Sequence, residues 1–75
     1  MSCFTITLDT VEKVKQFSDL INKFEGDFDL ISEDYIIDAK SIMGIFSLNL
    51  KKPLTLQVNN IENLEDLKIS LEKFM

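Results

Sequence analysis

The sequence predicts an α+β two-layer open-faced sandwich, and three observations carry that expectation. The strand-like stretches are apolar on alternate residues, the helix-like stretches each carry one apolar stripe, and the elements run β-α-β-β-α-β-α. A strand that is apolar on one side needs a cover on that side, and a one-sided helix supplies it. A four-stranded sheet with three helices on one face and water on the other satisfies both demands. At 75 residues the chain is a single domain spanning residues 1–75, too short for a second core.

The first strand is read over Cys3–Leu8, where Phe4, Ile6 and Leu8 alternate with Cys3, Thr5 and Thr7. Asp9 or Thr10 then caps a helix running to about Glu25, with Val11, Val14, Phe17, Leu20, Ile21 and Phe24 as its buried stripe. Gly26 is placed as its left-handed stop. Phe28 and Leu30 begin a second strand, Ser32, Glu33 and Asp34 form a hairpin-sized polar cluster, and Tyr35–Ala39 returns as the third strand. After Ser41 a short helix is expected from Ile42 to about Leu48, ended by Asn49, and Lys51-Lys52-Pro53 makes a basic turn. Leu54, Leu56 and Val58 mark a fourth one-sided strand. The last helix is expected to start at Asn59 or Asn60, with Glu62 completing a capping box, and to bury Ile61, Leu64, Leu67, Leu71 and Phe74.

Composition narrows the function. Eight lysines, no arginine and thirteen acids give a net charge of −5, the wrong sign for neutralising phosphates, so no nucleic-acid partner is expected. The hydrophobic fraction of 45% against 28% charged residues is that of a folded domain rather than a disordered tail. Cys3 is the single cysteine and has no intramolecular partner, which fits a reducing, cytoplasmic setting. The N-terminus lacks the basic start of a signal peptide, and no apolar run approaches the roughly 18–20 residues of a membrane span. The absence of histidine removes the usual proton shuttle, the imidazole metal ligand and the phosphohistidine carrier. No cofactor, metal site or catalytic residue is expected. Asp27, Asp29, Glu33, Asp34, Glu62, Glu65 and Asp66 read as a solvated surface, with no cleft pattern for acid–base chemistry and no calcium loop.

The informative stretch is Ala39–Leu48. Ser41 sits where a strand gives way to a helix, so its hydroxyl can cap the free N–H groups. Phosphorylation there would place nearly two negative charges at the positive end of the helix dipole and change what the surface presents without unfolding the domain. Ile42, Met43 and Phe46 supply more apolar bulk than a short helix needs for one core, enough for an exposed docking patch. The plainer reading is that Ser41 is only a cap and the apolar residues only core.

The run Lys40-Ser41-Ile42-Met43-Gly44-Ile45-Phe46-Ser47-Leu48 closely resembles the regulatory-serine segment of the histidine-containing phosphocarrier (HPr) family of the bacterial sugar phosphotransferase system. Length, the opening Phe4-Thr5-Ile6-Thr7 strand and the element order extend the resemblance over nearly the whole chain. It implies an antiparallel sheet of order 1-4-2-3. It also implies that Ser41 is the target of an HPr kinase/phosphorylase-like enzyme and that the phosphoserine form binds a transcriptional regulator or other protein. Lys40, Ile42, Met43 and Phe46 are the implied partner-binding residues.

Family members carry a catalytic histidine and a nearby arginine between the first strand and the first helix. Here Leu8-Asp9-Thr10-Val11-Glu12-Lys13 passes directly from one to the other with neither residue type. Phe46 replaces a family methionine, Asn49 stands where glycine is usual, and Pro53 replaces a glycine near the fourth strand. A phosphoramidate carrier needs an imidazole nucleophile, so the expected function is a non-catalytic regulatory phosphoprotein that is not an enzyme. The alternatives are a passive binding module that is never phosphorylated and, third, a phosphocarrier using Asp9 or Cys3.

Overall fold

The computed structural model describes residues 2–33 and 35–75. Its elements are β1 (Ser2–Ile6), α1 (Val11–Ile21), β2 (Asp27–Ile31), β3 (Ile36–Asp38), α2 (Ile42–Phe46), β4 (Leu54–Asn59) and α3 (Leu64–Leu71), with a closing 3-10 turn over Glu72–Phe74. The strands form one sheet of order β1-β4-β2-β3 in which every neighbouring pair is antiparallel. The expected open-faced sandwich is therefore present, with the strand order that the family resemblance implies.

Strand alternation and register together build the core. Phe4 lies opposite Leu56, Leu56 opposite Leu30, and Leu30 opposite Ile37, so one apolar row crosses all four strands. Ile6 with Leu54 and Phe28 with Val58 flank it on the same face. Against this face the helices bury Val14, Phe17, Ile21, Ile45, Leu67 and Leu71. Each such side chain contributes about 1.5–3 kcal/mol by leaving water. Phe17 and Phe74 meet edge to face, their centroids 5.7 Å apart at 88°. The Thr7 N–H donates to the Phe74 carbonyl at 2.7 Å, tying the C-terminal turn to the end of β1.

Several boundaries differ from expectation, each for a local reason. β1 ends at Ile6 rather than Leu8 because β4 begins opposite it at Leu54; Leu8 is buried nonetheless. Thr10, not Asp9, caps α1, its Oγ1 accepting the Lys13 N–H at 3.1 Å. Val11 is 59% exposed and outside the buried stripe. Helical side chains lean toward the N-terminus, so the first residue projects off the end of its helix.

α1 stops at Ile21, not near Glu25. The backbone N–H and side-chain amide of Asn22 both donate to the Ser18 carbonyl, at 3.1 and 2.8 Å, and the N–H groups of Lys23 and Phe24 reach back only three residues. The helix thus tightens into a 3-10 turn and ends. Gly26 is not its left-handed stop. It has φ +143° at the entry to β2, where a Cβ would lie 3.1 Å from the Asn59 carbonyl oxygen and 3.3 Å from that of Asn60. Glycine is needed here for both conformation and space.

β3 covers only Ile36–Asp38, although flanking bonds from Ser32 N–H to the Tyr35 carbonyl and from Ala39 N–H to the Phe28 carbonyl, both 2.9 Å, extend the pairing. Asp34 of the expected hairpin cluster lies outside the described residues. α2 ends at Phe46, where the Ser47 and Leu48 N–H groups turn back to Gly44 and Ile45. Asn49 is not left-handed; its Oδ1 accepts the Lys51 N–H at 3.2 Å and starts the following turn.

The start of α3 is displaced furthest. Asn59 stays in β4 opposite Asp27, and Asn60 takes a left-handed φ of 56° while its side-chain amide donates to Asp27 Oδ2 at 2.6 Å. The helix therefore begins at Leu64 after Asn63, and Glu62 has no capping-box position.

Replacing Gly26 by alanine is expected to lower unfolding free energy by more than about 1 kcal/mol, because the methyl group meets two carbonyl oxygens in a conformation hostile to side chains. Urea denaturation measures it, and an unchanged midpoint would contradict the role given to this glycine.

Candidate functional site

The β3–α2 junction is built by short polar bonds. Asp38 accepts the Lys40 N–H on Oδ1 at 2.9 Å, and its carbonyl accepts the Ser41 N–H at 3.0 Å. This aspartate-led turn delivers Ser41 in an extended conformation (φ −91°, ψ 101°) to the N-cap of α2. There Ser41 Oγ accepts the Gly44 N–H at 3.2 Å, and its carbonyl accepts the Ile45 N–H at 3.0 Å. Ser41 remains exposed. Asp38 has a place in this junction that the sequence reading did not assign; its signal was an aspartate three residues before a capping serine.

Gly44 is shaped by the same junction. A Cβ at this position would stand 3.3 Å from Ser41 Oγ and 3.3 Å from the end of Ile37. The missing side chain leaves room for the capping hydroxyl above it.

The five-residue helix divides its side chains sharply. Ile45 is fully buried and Leu48, just beyond the helix, nearly so, while Met43 is 79% exposed and Phe46 and Ile42 are about 42% and 36% exposed. The exposed apolar residues thus lie beside Ser41 on a helix with no charged residue of its own. Lys40 differs from the other residues grouped with them. Its Nζ donates to the Phe24 carbonyl at 2.9 Å and lies 5.4 Å from the centre of the Phe28 ring. That ammonium holds the turn after α1 against β2, a tertiary role with no local signature.

The connection from β1 to α1 is also fully engaged. Leu8 is in the core, Thr10 is the cap, and Asp9 Oδ1 pairs with Lys13 Nζ at 2.9 Å. The Lys13 hydrogen bond and charge hold the exposed Asp9 carboxyl below the usual aspartate value of 3.8. Cys3 is exposed on the other face of the sheet from the helices.

Among the described acids, Glu33 pairs with Lys52 at 3.0 Å, Asp27 and Asp29 lie in β2, and Glu65 and Asp66 occupy the first turn of α3. Among the described residues no three His, Cys, Asp or Glu side chains are grouped to hold a metal ion, and no helix is long and apolar enough to cross a membrane.

The depressed Asp9 value gives a pH prediction. The ionised Asp9–Lys13 pair is fully formed above the ordinary aspartate value and is lost as pH falls through the lower folded value. Lys13→Met is expected to move the Asp9 midpoint back up toward 3.8, read by carboxyl NMR titration. An unmoved midpoint would mean another group sets it.

No protein-family model and no curated protein matches the chain in sequence. Solved structures do match. The chain is similar to the HPr of Thermoanaerobacter tengcongensis at a TM-score of 0.80 and 22% identity, covering 97% of this chain and 89% of that one. It is also similar to the histidine-containing phosphocarrier protein of Mycoplasma at a TM-score of 0.76 and 15% identity, covering 96% and 89%. The fold is that of the HPr phosphocarriers.

Proposed function

We propose that this chain is a non-catalytic, HPr-like regulatory protein that acts by binding other proteins in the cytoplasm and is switched by phosphorylation of Ser41. The observation that carries the reading is an exposed serine hydroxyl at the N-cap of α2, flanked by exposed Met43 and Phe46, in a chain without histidine. The HPr fold supports a relation to that phosphocarrier family. The lost imidazole argues against carriage of a phosphoryl group.

The switch needs a kinase of the HPr kinase/phosphorylase type and ATP. The Ser41 Oγ–phosphorus bond forms as the bond from the γ-phosphorus to ADP breaks, and the hydroxyl proton passes to a base of the kinase. The product carries nearly two negative charges at the N-terminal end of a helix that has no acidic residue in its first turn to repel them. A partner such as a transcriptional regulator would read this dianion with basic side chains and the Met43–Phe46 surface with apolar ones.

Incubation with an HPr kinase and ATP is expected to add one phosphate, located to Ser41 by mass spectrometry and absent from Ser41→Ala. That variant should lose about 0.5–2 kcal/mol of stability with the cap, while Ser41→Asp keeps a capping oxygen. Phosphate elsewhere, or none, would overturn the switch.

A passive binding module is favoured by one observation, that Ser41 Oγ is already occupied by the Gly44 N–H. In either case Met43→Asp is expected to weaken binding of a cognate partner by more than tenfold in calorimetry, the effect of about 1.4 kcal/mol. Undiminished affinity would place the interface elsewhere.

A further inference from the structure

The face of the sheet turned away from the helices has its own chemistry. Among the described residues, register places on it Asp27, Asp29 and Ile31 from β2 and Ile36 and Asp38 from β3, beside uncharged side chains of β1 and β4. Three are carboxylates and none is basic. Asp29 stands directly opposite Asp38, a like-charge cross-strand pair that is unfavourable in the free protein. Among the described residues Asp38 accepts only a backbone N–H and Asp27 only the Asn60 amide, and neither of the two ion pairs involves this face. Two residues further along the same two strands, about 7 Å away, Ile31 lies opposite Ile36, which is 70% exposed.

We infer that this open face is a docking surface for a basic, partly apolar segment of another protein, its lysines or arginines over Asp27, Asp29 and Asp38 and its apolar side chains over Ile31 and Ile36. Such a segment relieves the repulsion between Asp29 and Asp38 and covers the exposed isoleucine together. Charge complementarity selects this occupant. A second copy seated face to face would set three carboxylates against three, and nucleic acid or an anionic lipid surface would meet the same repulsion. The spacing of the acidic and apolar halves suits side chains at i and i+4 of a helix or i and i+2 of a strand. Ser41 is not among its residues, although Asp38 also leads the turn that delivers that serine, so Asp29 and Ile36 test this surface independently of the switch.

Amide NMR titration of the folded chain with a synthetic helical peptide, leucines along one side and lysines flanking them, tests the inference. Saturable shifts are expected at Thr5, Asp29, Ile31, Ile36 and Asp38, weakened by added salt. Asp29→Asn combined with Asp38→Asn should raise Kd about tenfold, and Ile36→Lys should do the same, while Glu65→Gln in the first turn of α3 leaves Kd unchanged. The inference is overturned if the shifts gather on α2 or spread evenly, if a glutamate version binds equally well, or if the aspartate variants bind like wild type. Movement of the same resonances with protein concentration alone would assign the face to self-association and overturn it equally.

Discussion

The structure depends on one apolar row, Phe4–Leu56–Leu30–Ile37, running across all four strands on a single face of the sheet. Because side chains alternate along a strand, that row leaves a second face that the helices never touch. Burying it requires helices on one side, and those helices are too short and too one-sided to stand without the sheet. The row also sets register: slipping a strand by one residue would exchange Leu56 for Thr55 or Gln57 and turn the core outward.

This asymmetry explains why the molecule presents two unlike surfaces. On the helix side, the turn led by Asp38 and the cap at Ser41 hold α2 with Ile45 inward and Met43 outward. Gly44 keeps the space above it free for the serine oxygen. On the other side, the same register lines up Asp29 with Asp38 and Ile31 with Ile36. Both surfaces follow from the placement of β3 beside β2, although one is polar and uncovered and the other is apolar around a hydroxyl.

The connection between β1 and α1 is occupied by structural tasks. Leu8 fills core space, Thr10 satisfies a helix N–H, and Asp9 is neutralised by Lys13. None of these side chains is both free and nucleophilic, whereas the serine at the β3–α2 junction keeps its exposure while serving as a cap. Under the proposed function, the chemistry offered is recognition at Ser41 rather than relay.

Patterns of period two and 3.6 were sufficient to read the element order, the one-sided core and the position of Ser41, because burial preferences act residue by residue along the chain. The segment Lys40–Leu48 could be read as cap plus exposed bulk for the same reason. Boundaries were a different matter. Asn59 and Asn60 look like helix caps in isolation, but pairing with Asp27 holds one in β4 and draws the other into a left-handed turn. Gly26 looks like a helix stop, yet its requirement is the approach of the Asn59 carbonyl from a strand 33 residues distant. Lys40, implied by the resemblance as a partner-binding residue, is bound to the Phe24 carbonyl in the turn after α1. In each case the deciding partner lies far away in sequence, where local propensity carries no information and only the assembled sheet brings the atoms together.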